Sequence, residues 1–160
     1  MCSAILLNDQ ETRALTVDAR VVAVRWDVLP WGLVLDLDAP VAESENAPMR
    51  RAWLAFLEVG EITIPMLEAR LPTGIWLTSS LQVGPDERGF RVFSCNALLP
   101  VFDGNSLRST GVPSPLAVRA RAVLGLASRD SRIGEEYGLG FESRQALCSD
   151  RDMLNSLLAR

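Results

Sequence analysis

Residues 20–39 read RVVAVRWDVLPWGLVLDLDA. Apolar side chains recur at every second position on both sides of Leu29-Pro30-Trp31-Gly32: Val22, Val24, Trp26 and Val28 before it, Leu33, Leu35 and Leu37 after it. A period of two is the signature of a strand with one buried face. Pro30 can neither donate a ladder hydrogen bond nor extend a helix, so the chain is expected to fold back there into an antiparallel pair. Side chains alternate across a pleat, which places Asp36 and Asp38 on the opposite, solvent-facing side of the second strand.

The same reading extends outward from this hairpin. Upstream, a short strand is expected at Ala14–Val17. Downstream, a long loop from Pro40 to Arg51 carries Glu43, Glu45 and the pair Arg50-Arg51, and long ordered loops are often functional. Ala52–Val59 is apolar on both faces, with Trp53, Ala55 and Leu57 alternating with Leu54 and Phe56, as in a central strand. Gly60 invites a bend before Glu61–Ile64 resumes the alternation. Ile75–Val83 and Phe90–Leu98 read as strands joined by the turn Gly84-Pro-Asp-Glu-Arg-Gly89. A second loop is expected over Pro100–Pro115.

Leu116–Ala127 satisfies two patterns. Ser114-Pro115 suits a helix start, whereas Leu116, Val118, Ala120, Ala122, Leu124 and Leu126 alternate with Arg119 and Arg121; strand is the expectation. Ser128–Gly140 reads as loop, with a short strand at Leu139–Glu142. At the end, Ser149 and Asp152 resemble a capping box, and Met153, Leu154, Leu157 and Leu158 form one stripe, so a helix over about 149–159 should pack on the sheet.

These elements predict one domain over residues 1–160: all-β, a β-sandwich or open barrel of about six to eight mainly antiparallel strands, with one C-terminal α-helix. A chain of 160 residues buries enough surface for one core without metals or disulfides. Its hydrophobic fraction of 48% and charged fraction of 22% favour neither disorder nor a membrane class. The opening MCSAILLNDQ lacks a basic n-region, so a cytoplasmic location is expected. Cys2, Cys95 and Cys148 are too far apart for C-x-x-C chemistry and read as reduced thiols.

What the sequence lacks narrows its chemistry. It contains no histidine, which excludes Ser-His-Asp and Cys-His catalysis and histidine metal sites. It contains no lysine either, all 16 basic residues being arginine, which excludes Schiff-base chemistry and the P-loop amine. No cofactor or metal is expected, and the chain leans away from being an enzyme. A net charge of −4 disfavours nucleic acid and anionic membranes and favours a basic partner.

Three sets of residues remain as candidates. Asp27, Asp36, Asp38, Glu43 and Glu45 would supply oxygen ligands to a hard cation if they converged, as an aspartate-based metal-dependent hydrolase requires; a solvated acidic face is the simpler reading. Arg119 and Arg121, with Arg50-Arg51, suit either an anion or salt bridges to the acids. Of the tryptophans, Trp26 and Trp53 follow the apolar pattern and are expected in the core, Trp31 sits at the hairpin tip, and Trp76 is undecided. The leading expectation is a non-enzymatic protein-interaction module, with Trp31 as anchor and Asp36, Asp38, Glu43 and Glu45 steering a basic protein. The hydrophobic pattern Trp53-Leu-x-Phe-x-x-Val-x-x-Ile62 resembles that of small bacterial immunity-type proteins, which implies a toxin as such a partner. The alternative is a small-ligand or carbohydrate-binding barrel, which a concave pocket exposing Trp31 or Trp76 would favour.

Overall fold

The computed structural model describes residues 4–26, 32–40, 49–63, 75–98, 100–103, 106–109 and 114–132. In chain order these form β1 (Ala4–Leu6), α1 (Asp9–Ala14), β2 (Ala19–Arg25), β3 (Leu33–Pro40), β4 (Met49–Leu57), β5 (Glu61–Thr63), β6 (Ile75–Leu77), β7 (Gln82–Val83), β8 (Arg91–Leu98), β9 (Pro100–Asp103), β10 (Ser106–Ser109), β11 (Ser114–Ala120) and β12 (Ala122–Arg132). Ten strands make one antiparallel open sheet in the order β1-β12-β4-β3-β2-β6-β8-β11-β5, with β7 added beside β8; β9 and β10 pair separately. The expected pairing of β2 with β3 is present, and β4 lies between β3 and β12 as a central strand.

The sheet is strongly rolled. β4 and β8 are four places apart in it, which in a flat sheet at ~4.8 Å per strand would separate them by ~19 Å. Yet the rings of Phe56 on β4 and Phe93 on β8 lie 5.9 Å apart, tilted by 58°. β11 and β12, six places apart, are joined through the single residue Arg121. The roll is made at a shared corner where β4 runs into β5 and β11 into β12. There the Arg121 N–H donates to the Leu57 carbonyl (3.0 Å) and the Gly60 N–H to the Arg119 carbonyl (2.8 Å). Glu58, at φ 50°, takes the sharp turn.

Rolling encloses one core. Leu33, Leu35 and Leu37 of β3 face Leu54, Phe56 and Ala52 of β4 and meet Val21, Ile75, Leu77, Phe93, Cys95, Leu116 and Val118 from around the sheet. The other face of β3, β4 and β12 is also buried: Val34, Trp53, Ala55 and Leu126 are each at most 1% exposed. This double burial explains the near-continuous apolar run Ala52–Leu57.

The short helix α1 packs against β12 beside that core. Asn8 caps it reciprocally, its Oδ1 accepting from the Glu11 N–H (2.8 Å) while Glu11 Oε2 accepts from the Asn8 N–H (3.0 Å). The Leu7 N–H donates to the Gly125 carbonyl (2.9 Å), the Leu81 N–H to the Arg13 carbonyl (2.9 Å) and the Thr16 hydroxyl to the Ser79 carbonyl (2.6 Å), which ties the helix to the sheet.

Several expectations are corrected. The segment read as a strand at Ala14–Val17 is the end of α1 and the turn after it, because the capping box at Asn8 and Glu11 nucleates a helix upstream. The sheet has more strands than six to eight, and they do not divide into the two facing sheets of a sandwich. Ile75–Val83 is broken into β6 and β7, although Ile75, Leu77 and Leu81 do face inward. The loop expected over Pro100–Pro115 contains the β9–β10 hairpin, in which Asp103 pairs with Ser106, and β12 extends into the expected loop after Ser128. Trp26 is 56% exposed rather than buried. The cause is the end of the strand: a bulge at Val22 brings Val24 opposite Leu35 on the inner side, but β2 stops at Arg25, so Trp26 lies beyond the last ladder pair, Arg25 with Val34. The C-terminal helix over 149–159 lies outside the described residues.

Gly125 is where the helix meets the sheet. A Cβ added there would come within 2.9 Å of both Cβ and Cγ2 of Thr12. Gly125→Ala should therefore destabilise the fold by about 1–3 kcal/mol through overpacking, and Thr12→Ala in the same chain should recover part of that loss. Urea denaturation of the two single variants and the double variant checks both statements.

Candidate functional site

The outer side of β2, β3 and β4 is organised by charge pairing. Arg51, Asp38, Arg20 and Trp76 are successive cross-strand partners on β4, β3, β2 and β6. Arg20 Nη2 donates to Asp38 Oδ2 (3.1 Å), and Arg51 Nε lies 3.5 Å from Asp38 Oδ1, so one carboxylate is shared by two guanidinium groups. One register step along, Asp36 pairs across the ladder with Trp53, and its Oδ2 is 2.7 Å from Arg25 Nη2.

Asp36 is 1% exposed. The expectation that it projects into solvent is overturned, because the second face of β3 and β4 is itself buried. Its charge is balanced within the fold by Arg25, whose side chain is 31% exposed. Asp38 stays at the rim, at 15%, between its two arginines. Of the residues expected to form the contact surface, the structure thus brings Asp36 and Asp38 onto one sheet face in different environments. Trp31, Glu43 and Glu45 lie outside the described residues, as does Asp27. Beside Asp36, the Trp53 indole N–H is buried with no hydrogen-bond partner among the described residues, an arrangement that costs about 1–3 kcal/mol.

Trp76, undecided from sequence, is 38% exposed although β6 has strands on both sides, β2 and β8. Its neighbours Ile75 and Leu77 point into the core, so Trp76 stands on the outer, convex side of the roll. Val92 of β8 and Leu6 of β1 are also exposed apolar side chains of the sheet.

A separate cleft of about 350 Å³ opens between α1, the β7–β8 turn and the start of β12, lined by Asp9, Thr12, Arg13, Val83, Asp86, Arg91, Phe93, Arg121 and Val123. The turn holds its wall. Arg88 and Gly89 both have positive φ (58° and 85°), as a two-residue type I′ connection requires, and Asp86 Oδ1 accepts from the Gly89 N–H (2.8 Å). Arg121 pairs with Glu58 and, like Arg119, stacks on the Phe90 ring, with guanidinium carbons 5.0 and 5.4 Å from its centroid. The salt-bridge reading of Arg121 and Arg51 is therefore met, with stacking as a second partner for Arg121. Arg13 and Arg91 carry no sequence signal, because isolated arginines on different elements share no common spacing.

Cys95 is buried in the core, and burial pushes its thiol up from 9.0 to about 12, against a smaller opposing effect of a hydrogen bond with Thr16. Among the described residues no three His, Cys, Asp or Glu side chains gather as metal ligands. No helix among them is long and apolar enough to cross a membrane. Comparison with protein-family models, curated proteins and solved structures finds no match in any of the three.

Two measurements follow from this geometry. Asp36→Ala removes the buried carboxylate that pairs with Arg25 and should cost about 2–3 kcal/mol, somewhat below the ~3–5 kcal/mol of a pair buried on both sides, as read from chemical denaturation. For Cys95, the folded thiol ionises at higher pH than the unfolded one. Its contribution is fully present below pH 9.0 and declines as pH rises toward about 12. The stability difference between the wild-type chain and Cys95→Ala should therefore shrink with pH between 9 and 11, and the native thiol should resist iodoacetamide at pH 8 until denaturant is added.

Proposed function

We propose that this chain is a non-enzymatic protein-interaction module that binds a basic protein through the convex outer face of its rolled sheet, centred on Trp76. On this reading the roll is an open barrel whose interior is filled by side chains, leaving recognition to the outside. The observation that carries the proposal is the placement of Trp76: an exposed tryptophan on a convex sheet face offers area to a partner surface, whereas a sugar or small-ligand barrel would turn it inward.

The surrounding charges support the same reading. Asp38 beside Trp76 is already held by Arg20 and Arg51, so a partner that covers it buries no unpaired carboxylate. The net charge of −4 favours approach of a positive partner, with Glu43 and Glu45 as steering groups and Trp31 as a second anchor. Asp36 then acts by holding the sheet face together rather than by touching the partner. A toxin neutralised by this chain fits the proposed class of partner, in line with the hydrophobic pattern Trp53-Leu-x-Phe-x-x-Val-x-x-Ile62.

Affinity capture from the source cells at low and high salt tests the proposal. A basic protein should be retained at low salt, released as salt rises, and lost from Trp76→Ala with the fold intact. Once that protein is purified, Trp76→Ala should weaken binding by about thirtyfold, corresponding to about 2 kcal/mol at a hot spot. Undiminished binding by Trp76→Ala would refute the proposed surface.

A further inference from the structure

We propose that the outer face of β3, β4 and β12 is a docking surface for the chain's own C-terminal segment, residues 149–159, lying across it as a helix. Met153, Leu154, Leu157 and Leu158 then rest on Val34, Trp53, Ala55 and Leu126. The outer side of the sheet is thereby divided. The patch on β3, β4 and β12 is occupied by the chain itself, whereas the part around Trp76 on β6 stays open, and neither reading depends on the other.

The burial on this side requires a cover. Val34, Trp53, Ala55 and Leu126 are each at most 1% exposed. Trp76, on the same side of the sheet and also flanked by two strands, keeps 38% of its surface in water, so a sheet face alone does not hide an indole. The described elements packed against β3, β4 or β12 are their sheet neighbours, β11 at the corner, and α1. Of these, α1 lies on the inner side: Leu15 joins the core, and Thr12 meets Gly125, the ladder partner of Leu54. Arg20, Arg25, Asp36 and Ser128, all on the outer side, make further interactions beyond those given above, as groups beneath a cover would.

The extent of the patch and the course of the chain select the occupant. From Val34 on β3 to Leu126 on β12 the patch spans two strand spacings, ~10 Å, which matches the ~10–12 Å diameter of one helix. Leu6, the cross-strand partner of Leu126 on β1, is exposed, so the cover ends there. β12 finishes at Arg132 opposite Met49 of β4, which starts the last part of the chain on two of the three covered strands, with residues 133–148 as reach. Within that part, the capping pair Ser149 and Asp152 precedes a four-residue apolar stripe at helical spacing, a surface that has to be buried. Residues 64–74 are tethered at both ends, to β5 and β6, neither of which borders β3, β4 or β12 in the sheet order, and they hold Pro65 and Pro72.

A nitroxide placed off the stripe tests the docking in the full chain. Ser156→Cys, combined with Cys2→Ser and Cys148→Ser, leaves Cys95 as the other thiol, and Cys95 is buried. The label should broaden the amide signals of Val34, Asp36, Trp53 and Leu126 more than those of Phe93, Cys95 and Val118 across the core. Equal or weaker broadening on β3, β4 and β12 would overturn the proposal. So would broadening of unlabelled chains mixed with labelled ones, since a second copy would then be the cover. Leu154→Asp with Leu157→Asp should speed hydrogen exchange of the Trp53 indole N–H by at least about a hundredfold. That N–H has no hydrogen-bond partner among the described residues, so its protection reports the cover. Cys95 should meanwhile stay resistant to iodoacetamide at pH 8, which shows the inner core intact, and Leu154→Met with Leu157→Met should keep the indole protected. An indole as protected in the aspartate variant as in the wild-type chain would refute the docking.

Discussion

Two backbone hydrogen bonds, from Arg121 to Leu57 and from Gly60 to Arg119, join two long strands at the point where both change direction. Without that shared corner, β4 and β11 would belong to distant parts of a flat ten-stranded sheet, with one face open to water. With it, the sheet rolls until Phe56 and Phe93 touch, and residues from nearly every strand converge on one core. The corner has a cost, since Glu58 occupies a left-handed conformation that disfavours a side chain by about 1–2 kcal/mol. Burial of apolar area outweighs it, because a single large side chain such as Phe56 contributes about 1.5–3 kcal/mol when fully enclosed.

Rolling also sorts the charged groups by curvature. On the convex side, carboxylates of β3 sit between guanidinium groups of neighbouring strands, and Asp38 uses both of its oxygens in this way. Arginine suits the role better than lysine, since its fork reaches one carboxylate from two strands while the stem covers apolar surface. At the cleft, α1 and the β7–β8 turn bring arginines together from distant parts of the chain, and Glu58, Phe90 and Asp86 restrain them. The same residue type therefore links neighbouring strands in one place and fastens a corner and a turn in another.

These two surfaces differ in what they can recognise. The convex face offers an aromatic side chain amid paired charges, which favours a broad macromolecular contact over a small molecule. The cleft is lined mostly by polar and charged side chains, with Val83, Phe93 and Val123 as its smaller apolar part. Cys95 contributes to neither surface, because the core that holds it also suppresses its ionisation.

Strand identity was legible wherever one face is buried, because alternation such as Leu33, Leu35, Leu37 or Ile75, Leu77 reports directly which side chains leave water. The ambiguous stretch from Leu116 to Ala127 also resolved as strand, its alternation outweighing the helix propensity of alanine, leucine and arginine. The bulge at Val22, the exposure of Trp26, the burial of Asp36 and the gathering of Arg13, Arg91 and Arg121 were not legible. Each depends on which strand lies alongside or which element lies above, and residue order carries no record of that. The sequence alone determined a β-rich chain without histidine or lysine, because composition and a period of two need no knowledge of neighbours. Tertiary structure decided the rolled sheet, the internal pairing of its acids and the cleft, because corners, register shifts and long-range contacts are settled only when distant segments compete for the same core.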